Sequence, residues 1–104
     1  MSYVIGNLVK QSVISVTLTP ALIVLNTTAE QTFTVNGLLP TDMVCINKPT
    51  AQAGLGIVGV RVSAANTLAI TFSNNTGSSI TPTAAQVYQV LVSRPDSTIT
   101  DGNI

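Results

Sequence analysis

Proton transfer at neutral pH is most often carried by histidine, and this chain of 104 residues has none. Ser-His-Asp and Cys-His arrangements are therefore unavailable, and nucleophilic hydrolysis would need an unusual base. The remaining acid–base groups are Glu30, Asp42, Asp96 and Asp101. A glycosidase needs two such carboxylates flanking a sugar, usually beside an aromatic platform. Each of these four instead sits in or beside a turn rich in Ser, Thr or Pro. Solvated turn carboxylates are the simpler account, and no enzymatic activity is expected.

Cys45 is the single cysteine, so an intrachain disulfide is impossible, and one soft ligand does not make a metal site. Its neighbours Val44 and Ile46 predict a buried structural thiol. No clustered acidic loop of the kind calcium requires is present, and no cofactor is expected. Gly54-Leu55-Gly56 with Gly59 looks like part of a phosphate-cradling loop. It precedes a strand pattern, so no helix N-terminus would receive the anion, and backbone turns explain it better. Two glycosylation sequons, at Asn26 and Asn74, matter only in a eukaryotic secretory pathway.

Hydrophobic residues form 45% of the chain and charged residues only 8%, where soluble domains typically carry about 25% charge. Such a surface must be covered by Ser, Thr, Asn, Gln and small apolar groups, which suits a permanent neighbour. Lys10, Lys48, Arg61 and Arg94 are scattered, and the formal net charge is zero. Without a basic stripe, nucleic-acid binding lacks its electrostatic footprint. No apolar run approaches the roughly 20 residues of a membrane-spanning helix, and the opening residues lack the basic-then-apolar pattern of a secretory leader.

The elements that would carry any surface follow from period-two alternation, which places successive side chains on opposite faces of a strand. In residues 13–19, Ile14, Val16 and Leu18 alternate with Ser15, Thr17 and Thr19, and Pro20 ends the pattern. Residues 21–25 and 32–36, the latter with Phe33 and Val35 inward, read as two strands joined by a turn. Residues 43–46 read as a short strand buried on both faces. Val58, Val60 and Val62 pair with Phe72, Ile70 and Leu68 in a hairpin whose loop is 63–67, and a one-residue slip would turn one triplet to solvent. Residues 86–93 carry Tyr88, Val90 and Val92 on one face and Val87 and Leu91 on the other. Residues 47–56 and 74–85 read as surface loops.

Short strands with turns about every ten residues predict an all-β, two-layer antiparallel β-sandwich of jelly-roll or immunoglobulin-like type, with about seven to eight strands. The expected division is an N-terminal arm or edge strand over 1–11, a sandwich domain over 12–95 and a C-terminal tail over 96–104.

The stretch Ile46-Asn47-Lys48-Pro49-Thr50-Ala51-Gln52-Ala53-Gly54-Leu55-Gly56-Ile57, continuing from Arg61 to Phe72 and through Ile80-Thr81-Pro82-Thr83-Ala84 to Tyr88, covers about half the chain. It resembles small structural proteins of tailed bacteriophages, among which head decoration or cement proteins are common. The resemblance implies a non-enzymatic module, made in the bacterial host cytoplasm, that binds the outside of the mature capsid at junctions between major capsid subunits. The implied partners are the phage major capsid protein and further copies of the chain, as dimer or trimer. Tyr3, Val4, Ile5, Leu8, Ile99 and Ile104 are the expected contact residues, since arms at the two ends could add strands or apolar anchors to neighbours. The alternative expectation is a tail-fibre or tail-tip adhesin domain that binds host glycans.

Overall fold

A computed structural model describes residues 7–96. Within them the chain forms six strands and no helix: β1 (Leu8–Leu18), β2 (Thr27–Thr34), β3 (Met43–Asn47), β4 (Leu55–Ala64), β5 (Thr67–Asn74) and β6 (Gln86–Pro95). They make two three-stranded sheets, ordered β1-β6-β3 and β2-β5-β4, with every pairing antiparallel. Alternation sets which side of each strand turns inward. Leu18 on β1, Tyr88, Val90 and Val92 on β6, and Leu68, Ile70 and Phe72 on β5 join one buried cluster to which both sheets contribute. Each such side chain contributes about 1.5–3 kcal/mol when fully removed from water. The Tyr88 ring is fully buried, but its hydroxyl meets no hydrogen-bond partner among the described groups.

Among the described residues six strands stand where seven to eight were expected of the chain. The difference lies in residues 21–25, where only Ile23 turns into the core, bridging Ile80 through backbone bonds of 2.7 and 3.0 Å. Leu22, Val24 and Leu25 stay exposed. Buried Asn74 pins the same region: its Nδ2 donates to Ile23 O and Ser78 O, and its Oδ1 accepts from Thr76 N and Oγ1. The strand expected at 32–36 is instead β2, and its inward Phe33 is half-buried while Val35, just past its end, is buried.

The β4–β5 hairpin keeps the expected pairs Val62 with Leu68 and Val60 with Ile70. A register break between Ile57 and Gly59 then sets Ile57, rather than Val58, opposite Phe72. One extra residue in a strand reverses facing beyond it, so Val58 is 63% exposed. The hairpin tip is tighter than the expected 63–67 loop, because Ala64 already pairs with Thr67. Asn66 takes φ 61 there, a left-handed conformation that Asn tolerates better than most residues. Its Oδ1 accepts from the backbone N–H of Gly37, its own N–H donates to Leu38 O, and its O accepts from Val35 N, so the tip is tied to the chain leaving β2.

On the outer face of β5, Ala69 is fully buried beneath a contact between its two neighbours. Arg61 on β4 and Glu30 on β2 meet at 2.9 Å through both guanidinium contacts, and so span β5 where its side chains are short.

Candidate functional site

The described carboxylates near strands are already engaged. Glu30 is held by Arg61, whose hydrogen bonds lower its pKa, and Asp42 is held by Arg94 and by the Leu39 N–H. Neither stands as a free proton carrier facing a cleft. A crevice of about 210 Å³ opens where β3 and β4 approach each other, with Ile46, Ile57 and Phe72 among its walls and Lys48 at its side. Lys48 is folded back so that its Nζ donates to Thr50 O at 2.7 Å, and partial burial lowers its pKa. Thr50 in turn accepts from Gln86 Nε2 at 2.7 Å, and Gln52 Oε1 accepts from Thr83 N. The loop is thereby stitched to the 81–86 segment, and the crevice is the space left behind it.

The surface that departs furthest from ordinary solvation is the outer face of β1-β6-β3. Its register places Val13 of β1, Leu91 of β6 and Cys45 of β3 side by side across the sheet. The rung on one side is Gln11, Ser93 and Met43; on the other it is Ser15, Gln89 and Asn47, followed by Thr17 beside Val87. Val13 is 63% exposed and Leu91 39%, and Met43 and Val87 are also exposed. None of the residues on these rungs is charged. Two shallow hollows, of about 340 and 260 Å³, share Val13 and Leu91 in their lining. An apolar strip framed by Gln, Ser, Asn and Thr, on a rigid sheet, has the composition of a surface that meets another protein.

Cys45 belongs to this strip. It is exposed, which corrects the expectation of a buried thiol. Residues 43–47 are not buried on both faces: Val44 and Ile46 turn inward, so Met43 and Cys45 must turn out.

Of the expected contact residues, Leu8 is half-exposed and lies opposite Pro95 at the start of β1. Tyr3, Val4, Ile5, Ile99 and Ile104 lie outside the described residues. Leu8 to Gln11 are part of β1 itself, at the edge of its sheet. The sequence reading missed Val13, Leu91, Met43 and Cys45 as surface candidates. The available signal was apolar side chains at strand positions that alternation assigns to solvent, Val13 against Ile14 and Leu91 against Val90 and Val92.

Comparison with protein families, with curated proteins and with solved structures finds no match.

Proposed function

We propose that this protein is a non-enzymatic capsid decoration protein of a tailed bacteriophage, bound outside the mature head at junctions between major capsid subunits. The observation that carries this reading is the charge-free apolar strip of Val13, Leu91, Cys45 and Met43 on the outer face of β1-β6-β3. A protein that binds only the expanded lattice stabilises it by linkage, in proportion to occupancy and affinity, and needs no catalytic group. In this reading the two sheets form a small sandwich of jelly-roll or immunoglobulin-like character, reduced to six strands, that serves as a stiff platform. The chain is made in the host cytoplasm and works on the virion surface, with the major capsid protein and further copies of itself as partners.

The adhesin alternative has weaker support. Glycan sites commonly stack sugar rings on exposed aromatics, yet of the aromatics among the described residues Phe72 and Tyr88 are fully buried and Phe33 packs against the core. The test is co-sedimentation of the protein with mature heads, using wild type and Leu91→Lys. Wild-type binding that Leu91→Lys abolishes, with an unchanged melt, supports the docking face. Equal binding by both moves the capsid contact elsewhere, and binding to host glycan but not to heads replaces decoration by adhesion.

A further inference from the structure

Four of the six strands lie at sheet edges: β1 and β3 in one sheet, β2 and β4 in the other. An edge presents unpaired N–H and C=O groups that template further pairing, and folded proteins blunt it with charge, proline, bulges or brevity. Three of these edges are blunted. β2 carries Glu30 in an ion pair, and its Gln31 holds both the N–H and the C=O of Ala21 at 2.8 and 2.9 Å. β3 has five residues and is followed by Lys48-Pro49. β4 has register breaks at Ile57/Gly59 and Val62/Ala64 and carries Arg61.

β1 differs from all three. It is the longest strand, with 11 residues, and its one register break and one charge, Lys10, both fall at its first end. From Gln11 to Leu18 it has no charge, no proline and no irregularity, while its other side is paired with β6 throughout. We infer that β1 pairs antiparallel with β1 of a second copy about a two-fold axis at Val13, joining two three-stranded sheets into one of six strands.

The register follows from the strand. Val13 is the middle residue of Leu8–Leu18, so a two-fold axis there centres the pairing on the strand, with its regular residues Gln11 to Ser15 at the middle. Val13 then meets Val13 of the second copy and Gln11 meets Ser15, both on the outer face, while Val9, at the register break, comes opposite Thr17. These are apolar, hydrogen-bonding and β-branched pairs of the kinds that stabilise cross-strand contacts. Lys10 falls opposite Val16, so the two lysines stand six positions apart along the ladder, roughly 20 Å at strand rise, beyond the Debye length of about 8 Å at physiological salt. A closed two-fold contact uses one patch twice, and the zero formal net charge adds no long-range repulsion. The strip of Cys45, Leu91 and Val13 would run across the axis into its own copy, doubling the apolar surface. The inference rests on the self-association part of the decoration reading and narrows it from dimer or trimer to dimer.

The experiment is sedimentation velocity on the full chain across the micromolar range, with wild type, Val13→Lys, Val13→Glu and an equimolar mixture of the two variants. Wild type should be a dimer. Each variant places like charges face to face on the axis and should dimerise roughly hundredfold more weakly. Their mixture should recover a heterodimer, because the same register then opposes Lys and Glu. Val58→Lys, equally exposed on the other sheet, should leave the dimer intact. A monomeric or trimeric wild type overturns the inference, as does a dimer indifferent to both Val13 variants or a mixture that stays monomeric. Head co-sedimentation of the wild type separates the two ideas: a monomeric wild type that still binds heads leaves decoration standing and removes only the dimer.

Discussion

Arg94 on β6 holds both carboxylate oxygens of Asp42, Nε to Oδ1 at 2.7 Å and Nη2 to Oδ2 at 2.9 Å, and the Asp42 side chain is fully buried. The same Nη2 donates to Gly37 O, and the Asp42 Oδ2 accepts from Leu39 N. One planar fork thus fastens the 37–42 connection to the far end of β6. Bidentate geometry with further hydrogen bonds to the carboxylate is what lets such a pair stay ionised away from water.

Acid should loosen this fastening. Hydrogen bonding by Arg94 holds the Asp42 carboxyl below its ordinary 3.8, against the opposing effect of burial, with help from the Leu39 N–H and the charges of Arg94 and Lys10. A depressed carboxyl contributes stability that is complete above its unfolded value and is lost as pH falls through the folded one. Asp42→Asn is expected to lower Tm at neutral pH by about 5–10 °C and to flatten the decline of Tm below about pH 4. Thermal melts from neutral pH to pH 2 check this; parallel curves for the two proteins would mean that Asp42 does not drive the acid limb.

Tyr88→Phe removes the buried hydroxyl that has no partner among the described groups. Leaving a polar group unpaired in the interior costs about 1–3 kcal/mol, so its removal at constant ring shape should be neutral or stabilising, by up to about 1 kcal/mol in urea unfolding. A loss of stability would reveal a bound water or a further partner at the hydroxyl.

The bulge in β4 separates two valines that alternation alone would treat alike. Val58→Asp should shift stability by no more than about 0.5 kcal/mol, since Val58 faces solvent. Val62→Asp puts a carboxylate opposite fully buried Leu68 and should unfold the domain. Circular dichroism of the two variants settles the facing.

Cys45 should react with a thiol reagent at similar rates in the folded and denatured protein, because its side chain lies on the outer face of its sheet. Attachment of a bulky maleimide there should leave the melt unchanged and, on the decoration reading proposed above, reduce binding to heads. Slow labelling of the native protein would place Cys45 under another surface.

Strand identity was largely legible because alternation is a local property. Ile14, Val16 and Leu18, and Tyr88, Val90 and Val92, turn inward as their spacing predicts. The Val60–Ile70 and Val62–Leu68 pairs were legible for the same reason. Val58 was not, because a bulge changes facing by one residue without changing composition; Gly59, whose missing side chain makes the irregularity cheap, was the only hint. Cys45 was misread because the four consecutive apolar residues 43–46 look like a strand buried on both faces. The pairing of β1 with β6 was not legible at all, since nothing local to either strand names its partner. The apolar strip inherits that gap: Val13, Leu91 and Cys45 become neighbours only once the sheet order is known.

That pairing also sets an order of events in time. β1 is the first described strand to leave the ribosome and β6 the last, yet Leu18 pairs with Gln86 and Leu8 with Pro95. At roughly 5–20 residues per second, β1 waits several seconds or more for its partner. β4 and β5 need only their two-residue tip to form a hairpin, and β2 can add to it at once. The sheet β2-β5-β4 is therefore complete while β1 is still unpaired on both sides. A nascent chain in that state carries its least protected edge in the open, so the residues that suit β1 for a second copy also make it the segment most exposed to premature association on crowded polysomes. Slow synthesis should lower the soluble yield of this protein, and Val13→Lys should restore it.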